Sequence, residues 1–104
     1  MTFEQILEKV RSRKADTSNV DFLAVQIDLE GQNGGTFYVE IKNGNVSVEP
    51  YEYNDRSCRF RISSDNFLRL MDGSLDPKLA FMTGKLKIDG DISKALEFGR
   101  LIKS

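Results

Sequence analysis

Apolar positions along this 104-residue chain recur with two different periods, and each change of period marks a new element. Phe3, Ile6, Leu7 and Val10 fall on one helical face, and Thr2 followed three residues later by Gln5 has the form of a capping box. This spacing predicts a first helix ending near Arg13. From Val20 the period becomes two: Leu23, Val25, Ile27 and Leu29 point one way, while Asp21, Gln26, Asp28 and Glu30 mostly point the other. A glycine-rich turn at 31–35 leads to a second strand with Phe37, Val39 and Ile41 on its apolar side. Asn43-Gly44 then makes a tight hairpin into Val46 and Val48. These strands predict an antiparallel meander. Pro50 cannot donate to a ladder, so the third strand is an edge or is interrupted there, and Tyr51 and Tyr53 fall out of phase with Val48.

A fourth strand alternates Cys58, Phe60 and Ile62 with Arg59 and Arg61, after which the helical period returns. Ser63, Ser64 and Asp65 are available caps for a helix carrying Phe67, Leu68, Leu70 and Met71, closed by Gly73. Asp76 before Pro77 opens a short helix through Leu79, Ala80, Phe81 and Met82, ended by Gly84. Leu86 and Ile88 form a brief fifth strand, and Asp91 caps a last helix with Ile92, Ala95, Leu96, Gly99 and Ile102 near one stripe. Every strand has one apolar face. The expected architecture is a single two-layer α+β domain over residues 1–104, its sheet wet on one side and covered by helices on the other.

Composition narrows the function classes. With 15 basic and 16 acidic residues and no basic cluster, nothing suggests an electrostatic footprint for nucleic acid or an anionic membrane. No apolar run approaches the ~18 residues needed to span a bilayer, and the N-terminus lacks a signal-peptide profile, so a cytoplasmic protein without stable membrane insertion is expected. The absence of histidine removes the commonest general base and metal ligand together, which excludes Ser-His-Asp and Cys-His catalysis. Cys58, the single cysteine, alternates with Phe60 and Ile62 and reads as an inert core thiol. Asp76 and Asp91 read as helix caps and not as ligands, since EF-hand spacing is missing. Gly84-Lys85 lacks the remaining residues of a phosphate-binding loop. No catalytic residue, metal or cofactor is expected, and the chain does not read as an enzyme.

What remains is apolar surface on the helices, rich in the methionines and aromatics that suit a pocket able to repack. The segment Ala80-Phe81-Met82-Thr83-Gly84-Lys85-Leu86-Lys87-Ile88-Asp89-Gly90-Asp91, with the helices on either side, resembles the C-terminal half of the sterol carrier protein 2 (SCP2) family of lipid-binding domains. The resemblance implies a five-stranded mixed sheet in the order 3-2-1-4-5, with strands 1 and 4 parallel and helices packed on one face. It also implies a cavity between sheet and helices that holds a sterol, fatty acid, fatty acyl-CoA or other lipid. Carried over by position, its lining would be Phe67, Leu70, Met71, Phe81, Met82, Leu86, Ile88, Ile92, Leu96 and Phe98. Lys85 and Lys87 alternate with the apolar pair and are expected in solvent. The sequence ends at Lys103-Ser104 without the peroxisomal Ser-Lys-Leu signal, so peroxisomal localisation is not expected. The resemblance implies a standalone, prokaryotic member, and since sterols are scarce in prokaryotes a fatty acid, acyl-CoA or isoprenoid is expected over a sterol. The expected function is non-enzymatic lipid binding or transfer. The alternatives are a protein-interaction module, including a homodimer built on the same helices or on Tyr38, Tyr51 and Tyr53, and an accessory lipid-presenting domain for a separate enzyme.

Overall fold

The computed structural model describes residues 1–13 and 16–103. Helix α1 (Phe3–Arg11) starts at the reciprocal capping box of Thr2 and Gln5 and stops two residues before Arg13, where the Ser12 hydroxyl turns back onto the Lys9 carbonyl. Then come β1 (Phe22–Glu30), β2 (Gly35–Lys42) and β3 (Asn45–Glu49). The β2–β3 turn needs two consecutive residues with positive φ, and Asn43 (51°) with Gly44 (82°) supplies them at little steric cost. After a connection over residues 50–57 follow β4 (Cys58–Ser63), α2 (Ser64–Asp72), α3 (Pro77–Met82), β5 (Leu86–Gly90) and α4 (Ile92–Leu101). Ser63, Asp76 and Asp91 cap α2, α3 and α4, each side-chain oxygen accepting a backbone N–H three residues on.

The five strands are ordered β3-β2-β1-β4-β5, with β1 and β4 parallel and every other pair antiparallel. The mixed five-stranded sheet and strand order implied by the resemblance are the observed ones, and β3 is an edge strand that ends just before Pro50. Leu23, Val25, Ile27, Phe37, Phe60 and Ile62 on the helical face merge with Ile6, Phe67, Leu70, Met71 and Phe98 into one core. Edge-to-face ring pairs, Phe3 with Phe37, Phe37 with Phe67, and Phe60 with Phe98, run through it. Gly99 sets the seam between α3 and α4: a Cβ there would lie 2.7 Å from Pro77 Cβ, so only glycine lets the two helices close.

The other face of the sheet departs from the expected wet surface. Gln26 is only 3% exposed because the connection over 50–57 crosses above it. Its Oε1 accepts the Tyr53 N–H at 3.1 Å, and its Nε2 donates to Asp28 at 3.1 Å. The Ser57 N–H and hydroxyl bind the Ala24 carbonyl and N–H respectively, and the Tyr53 hydroxyl donates to Glu40 at 2.6 Å while its ring meets Tyr38 edge to face. That hydrogen bond, with burial and nearby negative charge, pushes the Tyr53 phenol up to about 12. A period-two pattern ranks positions by polarity and so assigns Gln26 to solvent; a satisfied polar side chain can be buried without penalty.

Two measurements check this account. Gly99→Ala should lower stability by about 1–3 kcal/mol in urea unfolding, because the clash with Pro77 outweighs the alanine's gain in helix propensity; a stabilised variant would contradict the seam. At Asp28, burial favours the neutral acid, but hydrogen bonds from Gln26, Arg59 and Thr36, together with the Arg59 charge, outweigh it and hold the carboxyl below its ordinary 3.8. A depressed folded-state pKa contributes stability that is complete above the ordinary value and lost as pH falls through the lowered one. Asp28→Asn should therefore flatten the acid limb of the stability–pH curve relative to the parent, and parallel acid limbs would rule the contribution out.

Candidate functional site

The ten positions assigned to a cavity wall stand in different surroundings. Phe67, Leu70, Met71, Leu86 and Phe98 are fully buried in the common core; Phe81 and Ile88 are half-buried against its edge, and Leu96 is half-buried on α4. Met82 is 71% exposed and Ile92 44%. The physical reason at Met82 is the length of α3. Six residues present only one narrow inward stripe, Pro77 and Ala80 occupy it, and Leu79 and Met82 are turned outward. Ile92 is in line with the buried stripe of Ala95, Phe98 and Ile102, but it is the first residue of α4 and stays open. Lys85 and Lys87 are exposed, as the alternation of β5 requires.

A small apolar cavity of about 40 Å³ lies at the opposite edge of the sheet. Val10 comes from α1, Val39, Ile41 and Val46 from β2 and β3, and Phe98, Leu101 and Ile102 from α4 and its cap, with Arg13 and Thr17 also on the wall. Of the ten expected residues only Phe98 lines it. Its volume is close to the ~30 Å³ share of one water, so it is a seam between packed elements and not a filled-chain pocket. Arg13 and Val46 also line an open groove of about 310 Å³ beside it, with Arg11 and the β3 residues Ser47, Val48 and Glu49.

The electrostatics of that opening rest on two arginines. Arg11 is committed: Nε and Nη2 both donate to the Val48 carbonyl, at 3.1 and 2.8 Å, and Nη1 pairs with Glu8 at 2.6 Å. Arg13 is half-committed. Its Nη2 donates to the Met71 carbonyl at 3.2 Å, at the carbonyl-rich end of α2 where a cation is favoured, while its buried Nε has no hydrogen-bond partner among the described residues. A buried, unanswered guanidinium N–H beside an apolar seam is the most chemically unusual atom of this region, since such donors ordinarily find a partner. The sequence carried a signal for it that the apolar pattern passed over: Arg13 continues the stripe of Ile6 and Val10, so a cation stands where the next core residue would be.

Cys58 is 1% exposed, and burial, with the nearby Asp91 charge, pushes its thiol up to about 12. The thiolate that nucleophilic chemistry requires is therefore scarce at neutral pH. Among the described residues no group of three or more His, Cys, Asp or Glu side chains is placed to hold a metal, and no helix is long and apolar enough to cross a membrane.

Comparison with known proteins agrees with this architecture. Residues 3–103 match the SCP-2 sterol transfer family. Hydroxysteroid dehydrogenase-like protein 2 of Mus musculus is 36% identical over 78 residues, which cover 74% of this chain and 16% of that protein. Sterol carrier protein 2 of Homo sapiens is 36% identical over 74 residues, covering 71% of this chain and 14% of its own length. The chain thus corresponds to a small part of the curated relatives it matches. In fold, it is similar to the solution structure of palmitated SCP2L2 from Aedes aegypti (TM-score 0.73, 17% identity, 100% and 96% covered). It is also similar to part of the sec-alkylsulfatase Pisa1 from Pseudomonas sp. (TM-score 0.81, 17% identity, 100% of this chain and 17% of that one). The order β3-β2-β1-β4-β5, the helices on one face and the match over residues 3–103 together place this chain in the SCP-2 sterol transfer family, whose members bind and transfer apolar lipids.

Proposed function

We propose that this chain is a non-enzymatic lipid-binding or lipid-transfer domain for an acyl lipid with an anionic head, a fatty acid or fatty acyl-CoA. The observation that carries the reading is Arg13, whose buried Nε lacks a partner among the described residues and lies beside an apolar seam. In this reading the acyl chain parts α4 from the β3 edge and enters the seam past Val10, Val46 and Leu101. The carboxylate or phosphate accepts from Arg13 in a charge-assisted hydrogen bond, the strong kind of neutral-pH contact for such a head. The palmitated state of the Aedes aegypti relative supports an acyl ligand.

The seam is too small for a chain as it stands, so uptake exchanges protein–protein contacts for protein–lipid contacts. A long acyl chain gains about 0.8 kcal/mol per buried CH₂, enough in gross terms to offset the loss of local packing. The movable side is α4, because α1 is tied to the sheet by the two Arg11 hydrogen bonds to Val48. Phe67, Leu70, Met71, Leu86 and Leu96 then become wall by repacking, and unbranched Met71 adapts at low cost. No step in this process makes or breaks a covalent bond, in keeping with a thiol held protonated at Cys58. A second reading is favoured by the relatives' lengths: the match to the dehydrogenase-like protein covers 16% of it, which suits an accessory domain that presents lipid to an enzyme elsewhere.

Differential scanning fluorimetry checks the proposal. Palmitate or palmitoyl-CoA should raise the melting temperature with concentration, as a ligand preferring the native state must. Arg13→Gln should weaken palmitate binding about tenfold or more, the weight of a hydrogen bond to a charged group, yet leave methyl palmitate nearly unaffected. Equal weakening of both ligands would remove the head-group role. A melting temperature flat across saturating acyl, isoprenoid and sterol ligands would sink the carrier reading altogether.

A further inference from the structure

Strand β5 is the other margin of the sheet, with β4 on its inner side. The Asp91 N–H donates to the Ser57 carbonyl at 3.1 Å, and the register from Cys58 beside Gly90 to Ile62 beside Leu86 carries that phase along the ladder. Lys87 and Asp89 therefore turn their backbone groups toward β4, while Leu86 and Ile88 turn theirs outward. Among the described residues no turn, loop or cap backbone group bonds to these outward donors and acceptors. The charges on the exposed face of β5 are poorly matched within the chain. Lys87 stands directly across from Arg61, a like charge, and has no ion-pair partner among the described residues. Exposed Asp89 stands across from Arg59, but Arg59 is paired with Asp28, and Asp89 reaches only Arg61, at 3.6 Å.

We infer that β5 pairs antiparallel with β5 of a second copy of this chain, about a two-fold axis at Ile88. The run Leu86-Lys87-Ile88-Asp89-Gly90 is its own complement in that register. Lys87 lies opposite the partner's Asp89 and Asp89 opposite the partner's Lys87, while the two Ile88 residues exchange their outward backbone bonds. A two-residue slip, the smallest that keeps like faces together, sets Lys87 against Lys87 or Asp89 against Asp89, so charge selects the register. Half-buried Ile88 meets its own copy on the helical face. The pairing is isologous and uses both β5 edges, so assembly closes at two. It does not depend on what the seam beside Arg13 holds. The rival occupants are a second copy docked through exposed Leu79 and Met82, and an extended segment of another protein.

Sedimentation velocity from about 5 to about 500 μM should show a monomer–dimer equilibrium. Lys87→Glu and Asp89→Lys should each weaken it about tenfold, because each turns two opposite-charge pairs into like-charge pairs. An equimolar mixture of the two variants should recover the parent's affinity to within about threefold, since the new anion of one copy then meets the new cation of the other. Both side chains are exposed, so the variants should melt with the parent. Amide exchange reads the edge itself: protection of the Ile88 N–H should rise about tenfold with concentration. A chain that stays monomeric throughout overturns the inference and leaves the edge to another protein. A dimer that both variants retain overturns it too, and its loss in Leu79→Ser would move the contact to α3. Variants that stay apart when mixed, or Ile88 exchange independent of concentration, equally overturn it.

Discussion

The parallel pairing of β1 with β4 is the contact on which the rest of the structure depends. It joins the N-terminal meander to the C-terminal half, from Val25 beside Cys58 to Glu30 beside Ser63, across a long stretch of intervening chain. A parallel neighbour is slower to form than a hairpin, because loop closure must be met before the ladder rewards it. Strand β1 therefore lies between two partners and is covered on both faces, by helices on one side and by the 50–57 connection on the other. Gln26 is what this position demands: a polar side chain that fixes the covering segment through Tyr53 while sharing a hydrogen bond with Asp28. Arg59, beside Gln26 across the parallel pair, completes the network through its ion pair with Asp28.

Most of the fold was legible in the sequence because local signals and global arrangement agree. Thr2 with Gln5, Asn43-Gly44, Asp76-Pro77 and Asp91 each set an element boundary by chemistry confined to a few residues. The period-two runs assigned the core face of β1, β2 and β4 correctly for Leu23, Phe37 and Phe60. Strand order came from family resemblance, since nothing in a pattern of alternation says which strands are neighbours. The cover over Gln26 was not legible, because it depends on where residues 50–57 travel and not on their own periodicity.

The candidate site was less legible than the fold. Hydrophobicity marks side chains that avoid water without saying whether they meet each other, a ligand or a second surface. Phe67, Leu70 and Phe98 meet each other's neighbours in the core, while Met82 meets solvent, although all four read alike in sequence. The distinction is geometric: a six-residue helix spends its inward stripe on Pro77 and Ala80 and leaves the rest outside. Arg13 was passed over in the sequence, and only packing could show that its Nε is buried and without a partner among the described residues.

The two guanidinium hydrogen bonds from Arg11 to the Val48 carbonyl do more than fasten α1 to the sheet. Strand β3 is an edge, and an open edge is a template on which another chain can add a strand. Arg11 occupies one of its acceptors, and Pro50, just beyond its end, has no N–H to offer. In the uptake proposed above, one vulnerable margin thus stays sealed while α4 moves. The same cation that braces the domain also guards its edge against fibril-like self-association.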